Sequence, residues 1–127
     1  MNCYNVGIVT GEANNISGVG GIVGFVSVTE TSGEISHNYS SGNIQINATN
    51  VTNVRGAIGR YASSNFTINH NYYETGKSNV TLVDNASNEG KSASDMKTQA
   101  FVNLLNEGQE TAVWEINGSN NGYPVLK

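Results

Sequence analysis

The stretch GGIVGFVSVTETSGEISHNYSSGNI runs from Gly20 to Ile44, and RGAIGRYASSNFTINHNYYETGKS follows from Arg55 to Ser78. The second largely restates the first. Gly21-Ile22-Val23-Gly24 returns 35 residues later as Gly56-Ala57-Ile58-Gly59. An Ile-x-His-Asn-Tyr run at Ile35 to Tyr39 returns 33 residues later at Ile68 to Tyr72. A Tyr-x-x-Gly column occurs three times, at Tyr4 and Gly7, Tyr39 and Gly42, and Tyr73 and Gly76, with spacings of 35 and 34. A fixed period of this length marks a repeat architecture, and its small drift places length changes in the connecting loops.

Within each repeat the apolar residues form short runs with period two. Val6, Ile8 and Ile16 make one group, and Ile22, Val23, Phe25, Val26 and Val28 the next. Ile35, Tyr39, Ile44 and Ile46 follow. Runs of this kind bounded by Gly, Asn, Ser and Thr read as strands. Strands recurring in the same order every ~35 residues predict a coil that climbs one strand spacing per repeat and lays like residue over like. The recurring glycines suit sharp bends or close backbone approach. Gly59 falls in such a register-fixed turn, and Ser64 in a variable loop.

Composition fits this reading. The chain has 127 residues, enough for one domain, with 15 glycines and one proline. Charged residues are only 13%, so polarity rests on Asn, Ser and Thr, which favour turns. The net charge is −4 and the six Lys and Arg are scattered, which argues against nucleic acid as a partner. No apolar run is long enough to span a bilayer. No leader pattern opens the chain, and Met1 runs straight into patterned sequence, as in a piece cut from a longer protein. Cys3 is the single cysteine, so no internal disulfide forms.

The two Gly-x-[Ile/Val]-Gly segments, Gly21 to Gly24 and Gly56 to Gly59, resemble the GLUG motif of bacterial exported proteins, and the preceding NCYNVGIVTG resembles the stretch that accompanies it. Ile22 and Ala57 stand where that motif usually has Leu. Such repeats occur in large surface proteins, including IgA-specific metallopeptidases. The resemblance covers residues 2–76 and implies a parallel β-helix (β-solenoid) of about two to three coils.

After Gly90 the pattern changes. SASDMKTQAFVNLLNEG reads as one amphipathic helix with Ser94 as N-cap and a stripe of Met96, Ala100, Phe101, Leu104 and Leu105. Alternation at Ala112, Trp114 and Ile116 predicts a strand, and YPVLK a last one, with Pro124 at an edge. The expected organisation is all-β repeats over 1–90 and a capping helix with terminal strands over 91–127. Phe101, Leu104, Leu105 and Trp114 are expected to plug the last coil, because an open coil end invites pairing. The close W…NNGYPVL also resembles the end of GLUG arrays. The competing reading makes Trp114 an exposed platform for a sugar.

Candidate chemistry is sparse. His37 and His70 share a column and stack within ~5–10 Å if the coil forms. A zinc site needs further ligands; Cys3 lies one position off, and Asn follows both histidines, so His-Glu-x-x-His is absent. Glu12, Glu30, Glu34 and Glu74 fall at unrelated repeat positions, while Asp84, Glu89 and Asp95 sit near the cap boundary. Glycan-cleaving enzymes group their carboxylates. Asn-x-Ser/Thr triplets such as Asn47-Ala48-Thr49 arise by chance in a chain of this composition. The sequence therefore predicts no catalytic residue, metal or cofactor. It predicts a stalk or adhesin-type module on the outside of a bacterial cell, with an extracellular protein or glycan as partner. The alternatives are a spacer domain of a secreted peptidase or glycan-active enzyme, and a carbohydrate-binding module. Residues 2–9 lack a lid, which predicts self-association through that edge.

Overall fold

The computed structural model describes residues 1–27, 32–62, 65–85 and 88–127. Val28, Glu30 and Ser64 lie outside them. The described chain is mostly β. The first repeat supplies β1 (Tyr4–Asn5), β2 (Val9–Glu12), β3 (Asn15–Val19) and β4 (Val23–Val26). The second supplies β5 (Gly33–Ser40), β6 (Ile44–Asn47), β7 (Asn50–Val54) and β8 (Ile58–Tyr61). Then come β9 (Phe66–Glu74), β10 (Glu89–Lys91), α1 (Ala93–Met96), α2 (Gln99–Asn106), β11 (Trp114–Glu115) and β12 (Val125–Leu126).

Each strand of the first repeat pairs in parallel with its counterpart in the second. Tyr4 lies against Tyr39, Val9 against Ile44, Asn15 against Asn50 and Val23 against Ile58, always 35 residues on. β9 then pairs with β5 at an offset of 33, Ile35 on Ile68 and Tyr39 on Tyr72, and β10 extends the same sheet. Parallel neighbours need a long crossover. Here that crossover consists of the other three strands of the repeat.

Side chains alternate across this frame. Along β6, Ile44 and Ile46 are buried while Gln45 and Asn47 are exposed. Ile16, Ile44, Ile46 and Val54 form one apolar cluster, and Ile35, Ala57 and Ile58 another. Val6 and Ile8 do not join them: they stand exposed at 54% and 67% at the corner between β1 and β2. Their counterparts 35 residues on are Ser41 and Asn43, corner positions rather than strand interior.

The Tyr column also needs correcting. Tyr73, placed by its Tyr-x-x-Gly spacing over Tyr39, lies instead over Ser40, and Tyr72 takes the position over Tyr39. The Ile-x-His-Asn-Tyr register prevails because it runs the length of the β5–β9 ladder. One extra residue between Tyr72 and Ser78 restores the glycine spacing, since Ile44 bridges to Ser78 at an offset of 34. Alternation then turns Tyr73 inward, its ring against Gly56, where an added Cβ would fall 1.8 Å from the ring.

Two columns adopt the left-handed backbone. Gly18 and Asn53 share one (φ 85° and 51°), and His37 and His70 the other (φ 58° and 48°). Gly, Asn and His are the residue types that tolerate it best. Both columns interrupt their ladders, and inward alternation restarts beyond them. After His37 and His70 it places Asn38 and Asn71 inside. Asn38 Nδ2 donates to Asn71 Oδ1 at 2.7 Å, and Asn71 Nδ2 donates to the carbonyls of Ile35 and Asn69 at 2.9 and 2.8 Å.

Closure takes a form the sequence did not suggest. The apolar C-terminal segment covers the outer face of the β1–β5–β9–β10 sheet and does not plug its last strand. Tyr39 and Tyr72 point outward there, and Phe101 meets both rings edge-on at 5.8 and 5.2 Å. Trp114 lies 5.6 Å from Tyr39, and its indole nitrogen donates to Asn2 at 3.0 Å. Phe101, Leu105 and Trp114 are buried with Met96 and Val102, while Leu104 is half-buried at their margin. The helix is two short helices. Ser92 and Thr98 are the N-caps, accepting from the amides of Asp95 and Phe101, and Ser94 lies within α1. The break at Lys97–Thr98 turns Met96 and Phe101 onto one surface. Asparagine side chains finish two of the far edges, those of β6 and of the start of β8. Asn79 exchanges two hydrogen bonds with Ile46, Oδ1 accepting at 2.8 Å and Nδ2 donating at 2.9 Å. Asn88 accepts from the amides of Ala57 and Ile58 and donates to Ile58 O.

Two outcomes are expected from this packing. A Cβ at Gly59 would lie 2.5 Å from Gly24 O and from the Val19 carbonyl. Gly59→Val should therefore cost about 3 kcal/mol, the upper end for overpacking, while Thr10→Val on the exposed face of β2 should stay within about 0.5 kcal/mol. Urea denaturation of both variants makes the comparison, and equal losses would contradict the glycine register. The second outcome concerns the amide ladder. Asn38 Oδ1 is buried without a partner, and Cys3 occupies the neighbouring position of that column. Cys3→Asn should extend the ladder and raise stability by about 1 kcal/mol, the net worth of a hydrogen bond. Cys3→Ala is the control, and no gain of Asn over Ala would disprove the extension.

Candidate functional site

Ionisable and polar groups gather at the left-handed column on the first sheet. His37 and His70 stack with ring centroids 4.8 Å apart and planes 9° from parallel, the separation the strand spacing dictates. His37 Nε2 faces the carbonyl of Glu107 at 2.8 Å; a carbonyl only accepts, so Nε2 carries the hydrogen. Its Nδ1 meets Ser36 Oγ at 2.8 Å. His70 Nε2 lies 3.5 Å from the Glu107 carboxylate, and its Nδ1 is buried without a partner. Glu107, the residue that ends α2, thus engages one imidazole with its backbone and the other with its side chain. Next to it is a cleft of about 580 Å³ between β9 and α2, lined by His70, Tyr72, Asp84, Asn88, Leu104 and Glu107 among others.

Glu107 has no repeat position and no motif, so sequence reasoning missed it. The signal that was available is its place at the helix end. Asn106 is the last residue of α2. Its side chain also pins the Trp114 strand, accepting from the amides of Val113 and Trp114 and donating to Trp114 O.

Four further carboxylates are each taken up separately. Asp84 accepts from the Tyr73 hydroxyl and from the Gly90 amide. Glu74, buried, accepts from the Tyr123 hydroxyl at 2.7 Å and pairs with Lys77 at 3.6 Å. Glu89 pairs with Lys91 at 2.6 Å. Asp95 accepts from the hydroxyl of its own cap residue, Ser92. Glu12 and Glu34 lie on exposed strand positions. Among the described residues no three His, Cys, Asp or Glu side chains converge as a metal-binding set. Among the described residues no helix is long and apolar enough to cross a membrane. Trp114 is 1% exposed, so its ring has no free face for a sugar. The imidazole pair and Glu107 form a clasp that ties the helical segment to the sheet.

Tyrosines complete the contact between the two parts. Tyr39 is fully buried, its hydroxyl donating to Pro124 O at 2.6 Å and accepting from Asn120 at 3.1 Å. Tyr4 stacks on its ring at 5.5 Å, and Tyr123 at 6.4 Å.

Comparison of the chain with protein-family models, with curated proteins and with solved structures finds no match.

The tyrosines give the protein an alkaline limit. Burial, before any charge, raises Tyr39 and pushes Tyr72, Tyr73 and Tyr123 up to about 12. The carboxylates of Asp84 and Glu74 add to the rise at Tyr73 and Tyr123. An unfolded tyrosine titrates near pH 10. Above that, the folded state holds more protons than the unfolded one, so stability falls with rising pH. The urea midpoint should hold up to about pH 10 and fall steadily toward pH 12, with tyrosinate absorbance appearing on unfolding. Tyr123→Phe should shallow that fall. A midpoint unchanged across this window would contradict the burial of these hydroxyls.

Proposed function

We propose that the chain is a short parallel β-solenoid of about two to three coils, of the kind the GLUG resemblance implies, and that it is a non-catalytic stalk or adhesin-type module of an exported bacterial surface protein. One observation carries the reading: four sets of parallel strands each pair like with like at one repeat offset, and the groups that could do chemistry are spent on holding that arrangement together. Ladders of this kind give a stiff unit in which each repeat leans on its neighbours. The solvent face carries amides and hydroxyls, as in the exposed Asn50–Asn15 pair at 2.8 Å. Such a surface suits a spacer or a weak polar contact outside the cell. The cleft beside His70 supports a second reading, an accessory domain of a glycan-active enzyme or a carbohydrate-binding module, with amides and carboxylates rather than Trp114 meeting the hydroxyls.

The folded chain, incubated with a panel of glycans and unstructured peptides, is expected to turn over neither. On a glycan array it should show no saturable binding that depends on the cleft. Native-state proteolysis should proceed only as fast as global unfolding permits. Turnover or saturable glycan binding that is abolished by His70→Ala, with the fold intact by circular dichroism, would replace the stalk reading with the second one.

A further inference from the structure

Asparagine is followed by glycine twice in the chain, at Asn117-Gly118 and at Asn121-Gly122, and both pairs fall in the connection between β11 and β12. Such a pair can react with itself. The glycine nitrogen adds to the side-chain carbonyl carbon Cγ of the asparagine, and glycine has no β-carbon to hinder the approach. As sequence the two pairs are equivalent. Their backbones and hydrogen bonds separate them.

Asn121-Gly122 forms a turn. Both residues are left-handed, with φ 50° and 87°, and the Tyr123 amide donates to Asn120 O at 2.9 Å. Asn-Gly is the favoured pair for a tight turn with two left-handed residues. In a left-handed residue the next nitrogen lies roughly opposite Cβ across the Cα–C bond, so it points away from Cγ. A five-membered ring closes only with the two on the same side. Swinging the nitrogen round would break the turn, and the turn positions Asn120, which donates to the Tyr39 hydroxyl at 3.1 Å.

Asn117-Gly118 is arranged otherwise. Both residues are exposed, and Asn117 is not left-handed. Among the described residues nothing accepts from the Gly118 amide. Asn117 Oδ1 accepts from the Ser119 amide at 3.0 Å and from the Ser119 hydroxyl at 2.6 Å. Negative charge develops on that oxygen when Cγ is attacked, and donors already aimed at it stabilise the step. Asn117 Nδ2, the nitrogen that would leave, donates to Glu115 at 3.0 Å.

We infer that Asn117-Gly118 is a site of spontaneous covalent modification, and that Asn121-Gly122 is protected in the folded chain. Gly118 N bonds to Asn117 Cγ, the Cγ–Nδ2 bond breaks, and the nitrogen leaves as ammonia with the proton that Gly118 N gave up. Water then opens the cyclic imide at one of its two carbonyls, which leaves aspartate or isoaspartate. Aspartate sets a carboxylate where the amide had donated to Glu115, and like charges at that spacing repel. Isoaspartate lengthens the backbone between β11 and β12 by one carbon. Either product loosens the hairpin whose Trp114 covers Tyr39. This inference stands apart from the stalk reading, since it holds for a domain with any activity.

Incubation of the folded chain at mildly alkaline pH, followed by peptide mapping with mass spectrometry, tests it. Aspartate and isoaspartate are expected to accumulate at position 117 at least about tenfold faster than at position 121, because only the first pair can bring its reacting atoms together. In urea that unfolds the chain the two rates should converge. Ser119→Ala removes one donor from Oδ1 and should slow the reaction at position 117 about tenfold, less than in a buried oxyanion hole. Asn117→Asp, which carries the product from the start, should keep the fold by circular dichroism and lower the urea midpoint, and Glu115→Gln in that background should restore it. Conversion at position 121 as fast as at 117 in the folded chain, no conversion at either, or a Ser119→Ala variant that reacts at the unaltered rate would each overturn the inference.

Discussion

Every strand in the two main repeats draws its hydrogen bonds from a strand about one repeat away in sequence. That single constraint organises the molecule. Neighbouring strands lie about 4.8 Å apart, so each side chain has its own counterpart directly above or below it. A residue type is acceptable in a column only if it can stack on itself. Asn38 and Asn71 do so by passing an amide hydrogen bond, and His37 and His70 by parallel rings. Gly21 and Gly56 do so by leaving room for Ser40 and the Tyr73 ring. The same rule explains the abundance of asparagine, which can donate and accept along the stack, and the scarcity of charge, which would repel itself.

A ladder of this kind creates two problems. Its ends expose backbone groups, and the face carrying Tyr39 and Tyr72 exposes rings. The chain solves them with different devices. At β6 and at the start of β8 the far edge is closed by the side-chain amides of Asn79 and Asn88, which imitate a strand. The aromatic face is covered by α1, α2 and the β11–β12 hairpin, through a cluster centred on Tyr39. Covering a face demands apolar area, and the helices supply it with Phe101, Val102 and Leu105. Closing an edge demands hydrogen bonds, and asparagine supplies those.

The clasp of His37, His70 and Glu107 illustrates how a pattern that suggests chemistry can serve structure. Two stacked histidines look like half of a metal site. Here the left-handed backbone selects their residue type, the strand spacing sets their separation, and their polar atoms meet Ser36 and the end of α2. The carboxylates of Asp84 and Glu74 likewise serve tyrosine hydroxyls. The proposed role outside the cell rests on this economy of functional groups.

The repeat was legible in the sequence because the period is a property of the chain. The spacing of 35 between Gly21 and Gly56 and between Gly24 and Gly59, and of 33 between Ile35 and Ile68, follows from what a parallel ladder needs at each position. The strands, their order and the apolar C-terminal segment could be read in the same way. Three features could not. The choice of Tyr72 over Tyr73 depended on which of two competing spacings had the longer ladder behind it. The place of the cap depended on which way Tyr39 points, and that is set by the left-handed turn at His37, whose sign no periodicity records. The partners of Glu107, Asn79 and Asn88 lie 30 to 70 residues away in the chain. The sequence by itself determined which residues stack. Only the tertiary structure decided which face they present and what covers it, because a column's direction is fixed by backbone geometry and not by the residues in it.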